Sequence, residues 1–276
     1  MSSEKYCGFS FTQIGSSHSK SGKICQDASD SFAGYDYAAG VVCDGHGGNK
    51  HFRSDIGAHI AVEICREKIE RFIREKRRCR THSSEEKDVV QLGKSIILAW
   101  RERVQEHFEK NSFTTEELCS FGNRERDYLT ENRTVAYGTT MLVGLLFGKM
   151  LYVLQLGDGE IRVVTKDGYI SPIKKDERLR FGATTSLCDA DAFRHLRCCV
   201  LPADKIKGCW LSSDGVRNSF ENEEDLESFI HTVVRQYREA KFSDFKSQLK
   251  SFLPVLTKKG SGDDVSVAYL CGMKRK

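Results

Sequence analysis

Two uninterrupted apolar runs, residues 141–147 (MLVGLLF) and 150–156 (MLYVLQL), stand either side of Gly148-Lys149. A strand with one wet face alternates apolar and polar residues, so a continuous apolar run means both faces are covered. Gly148-Lys149 reads as the turn of a hairpin. A second sheet on one side and helices on the other would cover that hairpin, and the rest of the chain offers both. Residues 8–15 (GFSFTQIG) read as an opening strand and 37–42 as a short apolar strand. Residues 161–165, 210–212 and 265–270 add three more. Ile56, Ile60, Ile64, Ile69, Phe72 and Ile73 recur at helical spacing, and Val89, Ile96, Ile97, Trp100, Val104 and Phe108 mark one face of a second helix. Leu226, Phe229, Ile230, Val233 and Val234, then Phe242, Phe245, Leu249 and Phe252, predict two more amphipathic helices. Residues 111–133 are polar and without clear period, a loop or short-helix excursion. This order predicts an α+β fold, a two-sheet sandwich flanked by helices.

No repeat or low-complexity linker divides the 276 residues, so one domain over 1–276 is expected. A chain of this length buries roughly three quarters of its unfolded surface. With 39% apolar residues, 30% charged and three prolines, the composition is that of an ordinary globular protein. A net charge of +4 is too mild to argue for nucleic acid. Residues 141–156 fall short of a membrane span, and Met1-Ser2-Ser3-Glu4-Lys5 opens no secretory signal. A soluble, cytoplasmic monomer is expected, without nucleic-acid or membrane partners. The eleven cysteines include no Cys-x-x-Cys pair, and Cys198-Cys199 are adjacent. Cys43, Cys65, Cys209 and Cys271 sit in apolar patterns, as buried thiols of a reduced compartment do.

The acidic residues carry the chemistry. Asp44-Gly45 follows the strand 37–42, Asp214-Gly215 follows Trp210-Leu211-Ser212, and Gly262-Asp263-Asp264 precedes 265–270. Leu156-Gly157-Asp158-Gly159 has the same form. One Asp-Gly alone does no more than close a turn. Several at strand ends, one of them within Asp44-Gly45-His46-Gly47-Gly48, can converge on a cation, with glycine letting a backbone carbonyl approach. Oxygen-only ligands suit Mg²⁺ or Mn²⁺ rather than Zn²⁺.

From about Gly15 to Leu270 the chain resembles the PP2C (PPM) family of metal-dependent protein serine/threonine phosphatases, in its bacterial-type branch. The resemblance rests on an ordered set: Cys25-Gln26-Asp27, Asp44-Gly45-His46-Gly47-Gly48, Gly138-Thr139-Thr140, Gly157-Asp158-Gly159, Ser213-Asp214-Gly215 and Asp263-Asp264-Val265-Ser266-Val267. It implies a central antiparallel β-sandwich with α-helices on both outer faces. It also implies hydrolysis of phosphoserine and phosphothreonine by water activated between two Mn²⁺ or Mg²⁺ ions. In that reading Asp44 bridges both ions, the Gly45 carbonyl binds the second, Asp214 and Asp263 complete the first, and Asp27 holds metal-bound water. His46 matches the histidine proposed to protonate the leaving oxygen. The implied partner is a phosphorylated protein, a serine/threonine kinase or one of its targets.

Two departures stand out. Many members place Asp where this chain has Asn218; with the residue matching Asp158 that Asp supports a third ion, and an amide brings no charge to it. Eukaryotic members hold phosphate with an Arg upstream of the first acidic motif, where this chain offers His18 or Lys20, neither with Arg's bidentate fork. The alternatives are a binding module without turnover and a small-molecule phosphatase on the same scaffold. Cysteine-based phosphatase chemistry is not expected. His51, His59, His82, His107, His195 and His231 read as surface or satisfied helix positions, and residues 66–80 as a solvated basic helix face.

Overall fold

The computed structural model describes residues 6–78, 84–174 and 184–272; His82 and the end of the basic run, Cys79 and Arg80, lie outside them. The chain runs β1 (Cys7–Gln13), α1 (Ser16–Ser21), β2 (Ala28–Ala33), β3 (Tyr37–Cys43), α2 (Ser54–Arg78) and α3 (Glu85–Lys110). Two short helices follow, α4 (Thr115–Leu118) and α5 (Asn123–Glu131), and then β4 (Met141–Phe147), β5 (Met150–Leu156), β6 (Glu160–Thr165) and β7 (Tyr169–Ile170). The last third holds α6 (Ala192–His195), β8 (Arg197–Pro202), β9 (Ile206–Ser212), α7 (Asp214–Arg217), α8 (Glu223–Glu239), α9 (Phe242–Lys259) and β10 (Val265–Cys271).

The strands form two sheets, ordered β1-β10-β9-β6-β7 and β2-β3-β4-β5-β8, with antiparallel pairings throughout. The central hairpin pairs Met141 with Leu156 and Phe147 with Met150, and Gly148 turns it at φ 60°, a conformation that favours glycine. Between the sheets lie Val42, Leu142, Leu146, Leu151 and Val153 from one and Ile161, Val163, Leu211, Ala268 and Leu270 from the other. The outer face of the second sheet packs Val41, Val143, Tyr152 and Leu154 against Ile60, Ile64, Ile69, Ile97 and Trp100 of α2 and α3. The outer face of the first packs Phe9, Trp210, Val267 and Tyr269 against Leu226, Ile230, Phe245 and Leu249 of α8 and α9. Four layers result, helices, sheet, sheet, helices, and each central strand is dry on both faces as its composition requires.

Cys43, Cys65, Cys209 and Cys271 are buried, as are Trp100 and Trp210. The basic end of α2 is spent on carboxylates: Arg66 pairs with Asp30, Arg71 with Glu75, Lys76 with Glu85 and Arg77 with Asp36. Among the described residues no helix is long and apolar enough to cross a membrane. Strands β2, β7 and β8 are not legible as strands in the sequence, and all three are sheet edges.

Candidate active site

The acidic turns meet at one end of the sandwich because β9 and β10 are neighbours in one sheet and β3 belongs to the sheet packed against them. β3 delivers Asp44, β9 delivers Asp214, and β10 is entered through Asp263 and Asp264. The loop after β3 is laced to the segment before β4. The Asp44 carbonyl accepts from the Thr140 N–H at 2.8 Å and the Thr139 hydroxyl at 2.9 Å, and the Thr140 hydroxyl accepts from the Asp44 N–H at 3.0 Å. The His46 N–H donates to the Gly138 carbonyl at 3.0 Å. This is the work done by Gly138-Thr139-Thr140. On its other side the loop abuts Gln26, whose amide donates to the His46 carbonyl and to the Ser54 hydroxyl. A Cβ on Gly45 would stand 2.4 Å from the Gln26 carbonyl oxygen, so only glycine lets the two segments approach. Asp264, 3% exposed, ties the far side by accepting the N–H groups of Gly15 and Gln26 at 2.6 Å each.

Together these segments wall a cleft of about 520 Å³. Among the described residues seven aspartates line it (Asp27, Asp44, Asp158, Asp189, Asp214, Asp263 and Asp264), against one lysine, Lys23, with His18, His46 and His51. Burial and crowding favour the protonated form at three of them, Asp27, Asp44 and Asp214. Asp27, 2% exposed, is pushed up to about 8 by burial and then by the charge of Asp264, although the Ser213 and Ser266 hydroxyls work the other way. Asp44 is raised well above the carboxylate range by burial and by the charges of Asp27 and Asp214. Asp214 is raised by burial and by Asp158, and it shares a hydrogen bond with Asp44. A buried Asp27 oxygen, Oδ2, has no hydrogen-bond partner. Crowded carboxylates and an orphaned oxygen, with no guanidinium beside them among the described residues, are what a divalent cation would relieve, and an all-oxygen donor set suits Mg²⁺ or Mn²⁺. Among the described residues no three His, Cys, Asp or Glu side chains form a ready cage for one ion. Mg²⁺ does not ask for one, since it keeps several waters and takes one or two carboxylates.

Asp27, Asp44, Gly45, His46, Asp158, Asp214, Asp263 and His18 all line the cleft. Asn218 reaches it only through Asp214, whose Oδ2 accepts from the Asn218 amide at 3.1 Å. Lys20 does not line it. It is exposed on α1, and Gly22 at φ 70° ends that helix and turns the chain so that Lys23, not Lys20, faces the cleft. His18 is already engaged with carboxylates, its ring nitrogens 3.1 Å from Asp264 and 3.8 Å from Asp263.

His51, at the end of a short 3-10 turn with one ring nitrogen satisfied, also lines the cleft, which the sequence reading did not include. Its ring meets that of His46 edge to face at 4.9 Å between centres, and its Nδ1 lies 2.5 Å from the Val135 carbonyl, which can only accept. Nδ1 therefore carries the proton and Nε2 is the free acceptor of the neutral ring. The sequence signal for His51 was its place seven residues after Asp44, in the same short connection. Burial, and secondarily His51, lowers His46 to about 4.

Two cysteines have the Cys-x₅-Arg spacing of thiolate phosphatases, Cys65 to Arg71 and Cys188 to Arg194. Cys65 is fully buried within α2. Cys188 lines the cleft, but burial pushes its thiol up to about 11, so it is no thiolate at neutral pH.

No curated protein matches this chain. Among solved structures, a bacterial serine phosphatase superposes with a TM-score of 0.61 at 15% identity, over 98% of this chain and 98% of its own. The serine/threonine phosphatase Stp1 from Staphylococcus aureus gives 0.60 at 14%, over 98% and 95%. The catalytic domain of the serine/threonine phosphatase PstP, in complex with two manganese ions, gives 0.57 at 13%, over 96% and 97%. At such identities the likeness is one of fold. The family profile described as Protein phosphatase 2C matches residues 14–254, and the chain belongs to that family.

Proposed function

We propose that this protein hydrolyses phosphoserine and phosphothreonine monoesters by direct attack of water, with Mn²⁺ or Mg²⁺ as cofactor. The observation that supports it most is the convergence of Asp27, Asp44, Asp214 and Asp263 from separate strand ends on one cleft, with Asp27, Asp44 and Asp214 raised by burial and mutual charge. Asp44 with the Gly45 carbonyl, Asp214 and Asp263 would hold two ions, and Asp27 would orient water beside them. Bound divalent ions supply charge neutralisation at the phosphoryl oxygens and make water easier to deprotonate. The protein's own groups do the rest. Lys23, which pairs with no carboxylate among the described residues, is placed to meet substrate phosphate at the cleft wall. His46 is neutral at pH 7; a phosphate dianion beside it favours the imidazolium, which then protonates the departing serine or threonine oxygen.

The acidic residues that a phosphoprotein-binding module would have lost are present, which favours turnover over binding alone. The test is hydrolysis of para-nitrophenyl phosphate and of a phosphothreonine peptide with Mn²⁺, with EDTA and Asp214→Asn as controls. Turnover abolished by EDTA and reduced at least 100-fold by Asp214→Asn is expected, since metal sites supply several kcal/mol of transition-state stabilisation, about 100-fold or more. Absence of metal-dependent turnover on both substrates contradicts the proposal.

A further inference from the structure

The polar excursion of residues 111–133 is built onto the rest of the protein rather than left loose. Arg53, 5% exposed at the head of α2, donates from Nε and Nη2 to the Glu117 carboxylate at 2.6 and 2.8 Å. The same guanidinium donates to the Asn111 and Ser112 carbonyls and to the Tyr137 hydroxyl, and lies 4.9 Å from the centre of the Phe113 ring. Phe52 packs against Phe113 and Phe121. A buried guanidinium with that many partners fixes α4 in place, and with it the approach to α5.

What the excursion is held against is a second cleft of about 420 Å³. Lys50, Ser120, Phe121 and Glu125 line it, and it shares Gly48 and His51 with the catalytic cleft. Its charges are unequal in availability. The Glu125 carboxylate accepts the Gly122 N–H at 3.3 Å, capping α5. Arg126 stands beside Phe121 and donates to its carbonyl at 2.8 Å. Lys50 is exposed and pairs with no carboxylate among the described residues; its Nζ stands 5.9 Å from the ring centre of Tyr128. The second cleft therefore offers a lysine that no carboxylate pairs among the described residues, beside the Phe121 ring and with the Glu125 carboxylate turned to the start of α5, and it begins where the catalytic cleft ends.

We infer that this second cleft is a substrate subsite that reads an anionic side chain close in sequence to the phosphorylated residue, with Lys50 as the group that recognises it. The inference rests on the phosphatase reading above and narrows its substrate class to protein segments. Para-nitrophenyl phosphate has no chain to extend past Gly48 and His51, whereas a phosphopeptide does. Ion pairing at a partly exposed site corresponds to roughly fivefold in kcat/KM.

The test uses the whole protein with Mn²⁺ and three phosphothreonine peptides that differ only in carrying Glu, Ala or Lys at the positions flanking the phosphothreonine, each compared with para-nitrophenyl phosphate. In wild type the peptide-to-nitrophenyl ratio of kcat/KM should be highest for the Glu peptide. In Lys50→Glu that ratio should fall about fivefold for the Glu peptide and rise for the Lys peptide. Ratios that do not respond to Lys50→Glu, or that change equally for all three peptides, overturn the subsite. Fluorescence anisotropy of the same peptides on wild type and Lys50→Glu reads the same preference without turnover. Loss of the phosphatase reading, with no hydrolysis of any substrate, is thereby distinguished from loss of the subsite, seen as equal binding of the three peptides.

Discussion

Asp27 and Asp44 carry the account at the scale of single residues, because their surroundings favour the proton until a cation replaces it. In the metal-free protein Asp27 is raised from 3.8 to about 8, so the folded state binds a proton that the unfolded state releases. The stabilisation from that proton is complete below about pH 4 and is lost as pH rises towards about 8, the reverse of the usual carboxylate behaviour. Asp27→Asn should flatten this decline, read as the midpoint of urea unfolding in EDTA between about pH 5 and 8; a midpoint that rises with pH equally in both proteins contradicts it. At His46 the chemistry is separable from binding. His46→Ala should slow a phosphothreonine peptide by about 100-fold or more while para-nitrophenyl phosphate, whose leaving group needs little protonation, loses far less. His51→Ala should move both substrates in the same sense as His46→Ala but by less, since it frees the His46 ring without removing it. Equal losses on the two substrates would exclude His46 as the acid. The sequence pointed to the aspartates because they sit beside glycine at strand ends. It did not point to His51 or Lys23, whose roles in the cleft depend on a turn at Gly22 and a contact across to Val135.

Among the elements, the excursion of residues 111–133 and the head of α2 stand or fall together. Removing the Arg53 guanidinium takes five hydrogen bonds from Glu117, the Asn111 and Ser112 carbonyls and the Tyr137 hydroxyl, and leaves Glu117 with the Thr114 N–H. Arg53→Ala should therefore lower unfolding stability by about 3 kcal/mol, measured by chemical denaturation, as for other broken buried ion pairs. A loss below about 0.5 kcal/mol would mean that α4 is held by something else. The long helices and the central strands were legible, since periodicity survives wherever one face or both are buried. β2 (ASDSFA), β8 (RCCVLP) and the two-residue β7 were not, because an edge strand is partly exposed and its side chains need follow no strict alternation. The excursion is polar and without period in the sequence; what the sequence does not show is Arg53, distant in the chain, whose guanidinium makes it a fixed wall.

For the whole molecule, the four-layer sandwich explains why chemistry collects at one end. Its central strands are largely dry on both faces, so the acidic groups they carry fall at strand ends, and several such ends come together in one cleft. The fold was legible in outline from the dry hairpin 141–156 together with the order of strands and helices around it, and the site from the order of its acidic turns; their convergence shows only in three dimensions. The direct check is calorimetric titration of the metal-stripped protein with Mn²⁺. Two bound ions in wild type are predicted, with binding weakened about tenfold or more in Asp44→Asn and in Asp214→Asn while the circular dichroism spectrum is unchanged. Wild type that takes up no Mn²⁺, or Asp44→Asn and Asp214→Asn proteins that bind it as wild type does, would contradict a metal centre built from these aspartates.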